Sequence, residues 1–270
     1  MSSSPSSILY GGPKPWPAFS PVNDTIRGGK SSSSFRVISE GGRENVGRFE
    51  GTLDITALDG AGFASQSTTY PSPRLNFLPS KHCGLRLTFL RPPPSAFPSE
   101  EKTLSVLPPV APHVFTLALK NEEPGRREDG RRESVTVYEY DFDVLKASEE
   151  AEKGTVDEEK SAGGRDEVSV TARWGDFKPT YRGRPKEDAK PFDPSSMYEL
   201  SLMSRSLFGH QAGPFSLSLL SVSLVPHAPS RSRLGWLAAW WAVVSGLLRG
   251  WKEWLEGLLG RGERGAVRLP

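Results

Sequence analysis

RFEGTLDI, residues 48–55, decides the fold class. Phe49, Gly51, Leu53 and Ile55 fall on one side of an extended chain, and Arg48, Glu50, Thr52 and Asp54 fall on the other. A period of two is the pattern of a strand with one face on a core and one in water. Similar short runs occupy residues 34–38, 62–68, 84–90, 113–120, 134–142, 167–174, 198–203 and 214–225. Gly, Pro, Asn or Asp mark most of the gaps between them. Many short strands with no long helical pattern between them predict an all-β antiparallel sandwich or barrel. In the last run the apolar positions are Phe215, Leu217 and Leu219, then Leu220, Val222 and Leu224. That one-residue change of phase predicts a β-bulge.

Around this sandwich, placed at residues 10–226, the sequence carries additions. Residues 1–9 are Ser-rich and read as a flexible N-terminus. Residues 91–112 hold seven prolines and read as an extended loop. Residues 121–133 (NEEPGRREDGRRE) and 146–167 are charged and show no apolar period. Neither has enough apolar surface to offset its ordering entropy, so both are expected to be disordered insertions. Residues 231–260 read as a Trp-rich helix and 261–270 as a flexible tail. In that helix Trp236, Trp240, Val243, Leu247, Trp251, Trp254 and Leu258 share one face, with Arg249, Lys252, Glu253 and Glu256 opposite. The uncharged stretch, residues 234–248, is shorter than the roughly 20 residues that span a bilayer. Tryptophan favours the membrane interface, so the segment reads as an in-plane anchor or a partner-docking helix. Packing on its own sandwich is the alternative.

Composition narrows the function classes. The 270 residues hold 34 basic and 32 acidic side chains, a net of +2, which gives no overall field for nucleic acid. Cys83 is the single cysteine, so no intramolecular disulfide forms. Residues 1–10 lack the basic and apolar regions of a secretory signal, and prolines at 5, 13, 15, 17 and 21 oppose an Arg-rich transit helix.

No motif assigns a catalytic, cofactor-binding or metal-binding residue. Gly29-Lys30-Ser31 ends like a phosphate loop, but Asp24 stands where that loop needs its first glycine, and no helix is expected to follow. His82, His113, His210 and His227 lie in no metal-ligand spacing, and no Gly-x-Ser-x-Gly elbow occurs. Asp54, Asp59, Asp141, Asp143 and Asp176 read as surface or turn acids.

The segment WGDFKPTYRGR, residues 174–184, is the candidate rim site. Trp174 continues the inward set Val168, Val170 and Ala172 and should anchor the core. A turn at Gly175-Asp176 follows. Arg182 and Arg184 can grip a carboxylate or phosphate bidentately, or pair within the loop with Asp176 or Glu187. Trp174, Asp176, Arg182 and Arg184 are therefore the candidate partner or ligand residues.

Four blocks of the sequence resemble the complex I intermediate-associated protein 30 family. They are Val22-Asn23-Asp24 with residues 27–34, Phe49-Glu50-Gly51 with Gly62-Phe63-Ala64-Ser65, the 174–184 segment, and residues 200–219 with Gly213-Pro214-Phe215. Gln66 stands where the family often has Arg. The resemblance implies a galactose-binding-like jelly-roll sandwich. It also implies a non-enzymatic assembly factor or chaperone with protein partners, intermediates of mitochondrial respiratory complex I. It brings no catalytic residues and no cofactor. The other functional reading is a carbohydrate- or small-ligand-binding module, and the other location is the cytoplasm.

Overall fold

The computed structural model describes residues 7–93, 109–154 (except 129 and 131) and 166–227. Along the chain run β1 (Ser7–Gly11), β2 (Ser20–Pro21), β3 (Ser32–Glu40), β4 (Arg43–Leu53), β5 (Phe63–Thr69), β6 (His82–Leu90) and β7 (Val114–Lys120). Then come β8 (Val137–Asp143), α1 (Val144–Gly154), β9 (Glu167–Arg173), β10 (Lys178–Tyr181), β11 (Arg184–Pro185), β12 (Glu199–Arg205) and β13 (Gly213–Pro226). One sheet has the order β3-β4-β13-β6-β9, with β1 added on β13; the other has the order β11-β10-β8-β7-β12-β5-β2. The strand pairs are antiparallel, as short strands with no long helix between them predicted.

Phe49 and Leu53 of β4 point inward, as their phase predicts, and both are buried. The two sheets meet through aromatic rings. Phe115 of β7 lies 6.2 Å from Phe49 and 6.0 Å from Phe215, while Phe49 and Phe215 are 5.0 Å apart within their own sheet. Leu85, Leu87 and Phe89 of β6, Leu117 and Leu119 of β7, and Leu200 and Leu202 of β12 are among the other inner residues. Burying such side chains contributes about 1.5–3 kcal/mol each, which makes this interface the main source of stability.

The bulge falls where the sequence changes phase. The β13–β6 register shifts between Leu219 and Ser221, leaving Leu220 as the extra residue. β4 pairs with β13 only as far as Leu219, and β1 continues that edge at Ser221–Leu224. The Leu220 carbonyl accepts from Gly12 N–H at 3.1 Å. Gly11, at φ +78°, sits so close that a Cβ there would lie 2.2 Å from that oxygen.

Three expectations are corrected. Ser7–Gly11 is a strand, not part of a flexible N-terminus, because the end of β13 leaves an edge for it. Residues 144–154 are helical, where a disordered insertion was expected from 146. Asp143 Oδ1 caps α1 by accepting from Leu145 N–H at 2.9 Å and Lys146 N–H at 3.1 Å. Val144, Ala147 and Ala151 pack on the core, and Glu152 pairs with Arg91. Residues 121–133 fold back on themselves, with Arg126 bridged to Arg132 and Glu133 N–H bonded to Gly125 O at 2.8 Å. Asn121 moors that hairpin by donating to Asp193 O at 2.7 Å and Ser196 O at 2.9 Å. Most of the Pro-rich loop, residues 155–165, the Trp-rich segment 231–260 and the tail 261–270 lie outside the described residues.

Candidate functional site

The Asn23-Asp24 block is a latch between the sheets. Asp24 opens the 3-10 turn Asp24–Arg27 and is 1% exposed. Its carboxylate accepts from Ser31 N–H at 3.0 Å, Ser31 Oγ at 2.7 Å and Phe63 N–H at 3.1 Å. Asn23 Oδ1 accepts from Ser33 Oγ at 2.8 Å and Ser65 N–H at 3.0 Å. Gln66 completes the set by donating to Ser33 O at 2.9 Å. Ser33 belongs to one sheet and Phe63, Ser65 and Gln66 to the other, so these polar groups join the layers. Gly29 is required here, since a Cβ would lie 2.2 Å from Asp24 Cγ. The Gly29-Lys30-Ser31 stretch thus runs into a carboxylate and then into β3.

The 174–184 segment divides into separate roles. Trp174 is half-buried and stacks on Phe77 at 5.5 Å and 7°, with Phe192 at 5.7 Å. Its indole N–H donates to His82 O at 2.9 Å. Asp176 turns inward on its own loop, accepting from Arg173 N–H at 2.8 Å. Neither Arg182 nor Arg184 pairs with Asp176 or Glu187 among the described residues, which corrects one of the two readings. Asp176 is already used by Arg173, and Arg182 sits at φ +51° and donates to Ser134 Oγ at 3.2 Å instead. Arg184 is exposed in β11 beside a shallow surface depression with Lys186 and Glu187. The four candidates do not converge on one point.

Arg182 does open onto a larger feature, an open cleft of about 860 Å³ lined in part by Glu139, Met203 and Arg205 of the seven-stranded sheet. Arg27, Arg127, Arg132 and Arg205 line it together with Arg182. Arg205 of β12 is neutralised by Glu139 at 2.8 Å and by Asp141. No ion pair links Arg27, Arg127, Arg132 or Arg182 to an acid among the described residues. Arg27 lies over the Phe63 ring at 5.4 Å. Phe208, also on the cleft, is 90% exposed. Sequence reading missed Arg27, Arg127, Arg132, Arg205 and Phe208 because they come from separate elements with no common spacing. Arg127 and Arg132 also lie in the charged stretch read as solvated.

Two antiparallel sheets packed over an aromatic core, with a cleft on one of them, define an antiparallel β-sandwich protein. The sequence model of the Complex I intermediate-associated protein 30 family matches residues 8–89 and 140–219. An uncharacterized protein of Schizosaccharomyces pombe is 30% identical over 221 residues, which is 81% of this chain and 84% of that protein. The chain belongs to the Complex I intermediate-associated protein 30 family. Among solved structures, the family 11 carbohydrate-binding module of a cellulosomal cellulase of Clostridium thermocellum aligns with a TM-score of 0.48 at 8% identity, covering 85% of this chain and 99% of that one. An exo-beta-agarase aligns with a TM-score of 0.41 at 12% identity, covering 84% of this chain and 26% of that one.

Proposed function

We propose that the chain is a non-catalytic, protein-binding assembly factor that holds intermediates of mitochondrial respiratory complex I, with peripheral membrane contact through its Trp-rich segment. Family membership carries this reading, since the matched segments supply strands of both sheets. The carboxylates support it. A general acid or base must face substrate with a free oxygen. Here Asp24 closes the latch, Asp54 holds Thr56, Asp141 holds Arg205, Asp143 caps α1 and Asp176 caps its own turn. Each is engaged in shaping the fold.

The carbohydrate reading has less support. Sugars stack on open aromatic faces; Phe63 is covered by Arg27, and Tyr181 has Arg182 at 5.4 Å and Lys186 at 5.8 Å, which leaves Phe208 as the open ring of the cleft. The arginines favour an anionic group over a neutral sugar.

The test is affinity purification of the tagged full chain from detergent-solubilised mitochondria of its native host, with complex I assembly followed in cells lacking the chain. The expected result is a partner set of complex I subunits and stalled intermediates without the chain. Residence outside mitochondria, or normal complex I in its absence, would overturn the proposal.

A further inference from the structure

We infer that the arginine-lined cleft docks an acidic segment of a protein partner, with Phe208 as its apolar anchor. The inference rests on the protein-binding reading above and names the surface and the partner chemistry. It starts from backbone conformation. Leu207, Phe208 and Gly209 have φ of +49°, +58° and +86°. Left-handed conformations disfavour residues that carry a side chain, and bulky ones occur there only when the surroundings enforce them. The facing loop repeats the pattern, with Leu58, Asp59 and Gly60 at +53°, +49° and +82°.

Ser206, 2% exposed, fastens the two loops together. Its N–H donates to Gly62 O at 2.9 Å and its Oγ to Gly60 O at 2.5 Å, while Gly62 N–H donates to Oγ at 3.0 Å. Gln211, 1% exposed, holds the far end through Nε2–H to Arg205 O at 2.6 Å and its own N–H to Ser206 O at 3.1 Å. Two buried polar side chains and two left-handed turns are therefore committed to one placement. What that placement presents is an aromatic ring left 90% exposed. Strain held at a ring the core does not use points to binding.

The cleft supplies the rest of the recognition. The guanidinium groups with no ion pair among the described residues come from the turn after Asp24, the 121–133 hairpin and the β10–β11 turn. Arg and aromatic residues are the side chains that most often carry protein–protein binding energy. Acidic groups complement the arginines, and an apolar residue beside them covers Phe208. A flat bilayer surface meets fewer of the charges placed around a concavity than a chain segment that enters it. A compact anion would leave Phe208 in water.

The experiment selects peptides from a random display library on the full-length chain, then measures their affinities for variants. The expected peptides are rich in Asp and Glu and carry an apolar residue. Their affinity should fall about tenfold or more in Arg132→Glu/Arg182→Glu and in Phe208→Ser, and should weaken with salt. Arg86→Glu, on the other sheet, should bind as the parent does, and all variants should keep its melting temperature. Peptides without acidic enrichment, or unchanged binding by the cleft variants, would overturn the inference. So would arginine-dependent, Phe208-independent binding of phosphatidylserine vesicles or of inositol hexakisphosphate, which would assign the cleft to lipid headgroups or to small polyanions. Peptide selection needs no mitochondria. A negative result there leaves the complex I assignment standing, and loss of that assignment leaves the peptide result standing.

Discussion

Asp24 has exchanged its water for three protein donors: Ser31 N–H, Ser31 Oγ and Phe63 N–H. Removing a carboxylate from such a site strands the donors in a dry place, so Asp24→Ala should cost about 3–5 kcal/mol. Gly29→Ala attacks the same group from the other side, because the new methyl would sit 2.2 Å from Asp24 Cγ. It should cost about 2–4 kcal/mol alone and far less in the Asp24→Ala background, where the space has been vacated. Urea unfolding of the two single variants and the double variant tests this, and additive losses would show that the two residues are not opposed. Trp174 is more exposed than a core anchor yet is held by both ring and N–H. Trp174→Ala should cost about 2–4 kcal/mol, and Trp174→Phe about 1 kcal/mol for the lost bond to His82 O. An unchanged melting temperature in Trp174→Ala would return the ring to the list of binding candidates. The phase of β9 made the inward side of Trp174 readable in sequence. Its stacking partner Phe77 was not, since ring contacts between distant segments leave no local period.

Among the elements, the long strands were legible because burial on one face writes a period of two into the chain, as in β4 and β13. The pieces that escaped are those whose order is borrowed. β1 exists because β13 outlasts β4, and β10 and β11 are too short to show a period. α1 hides its apolar face behind alanine, whose signal is weak, in a run that is otherwise acidic. The bulge was readable and the strand that caps it was not, although they form one device. Gly11→Ala meets both a left-handed φ and the Leu220 carbonyl, so it should destabilise by about 2 kcal/mol or more. In hydrogen exchange, the Gly12 amide should be protected in the parent and released in the variant; an unprotected Gly12 amide in the parent would deny the contact. Most of the described residues of the 121–133 hairpin are exposed. Limited trypsin should cut at Arg126 and Arg127 before any site inside a sheet, with the two fragments still eluting together on a sizing column. First cuts at Arg48 or Arg86 would contradict the sheet assignment of those strands.

Across the whole molecule the charges nearly cancel, 34 against 32, yet they are sorted by place. Arginines line the cleft, four of them without an ion pair among the described residues, and acids close latches and caps. The C-terminal segment is sorted more sharply, with five of the chain's seven tryptophans between Trp236 and Trp254. Residues 234–248 are too short to span a bilayer, which needs roughly 20 apolar residues. Tryptophan gains most at the interface, where its ring is buried and its N–H stays wet. Arg231, Arg233 and Arg249 flank that stretch and suit anionic headgroups. Gly235, Gly246, Gly250 and Gly257 each weaken an isolated helix by about 1 kcal/mol, so helix formation should depend on a surface to bind. The expected outcome is that the full chain floats with anionic liposomes and a chain ending at Pro229 does not. Circular dichroism should show helix gained by the full chain on adding liposomes, with no gain in the shorter one. Equal flotation of both chains, or of neither, would remove the anchor. Earlier melting of the shorter chain would instead place the tryptophan face against the sandwich, because only a segment already packed in the folded state stabilises it without lipid.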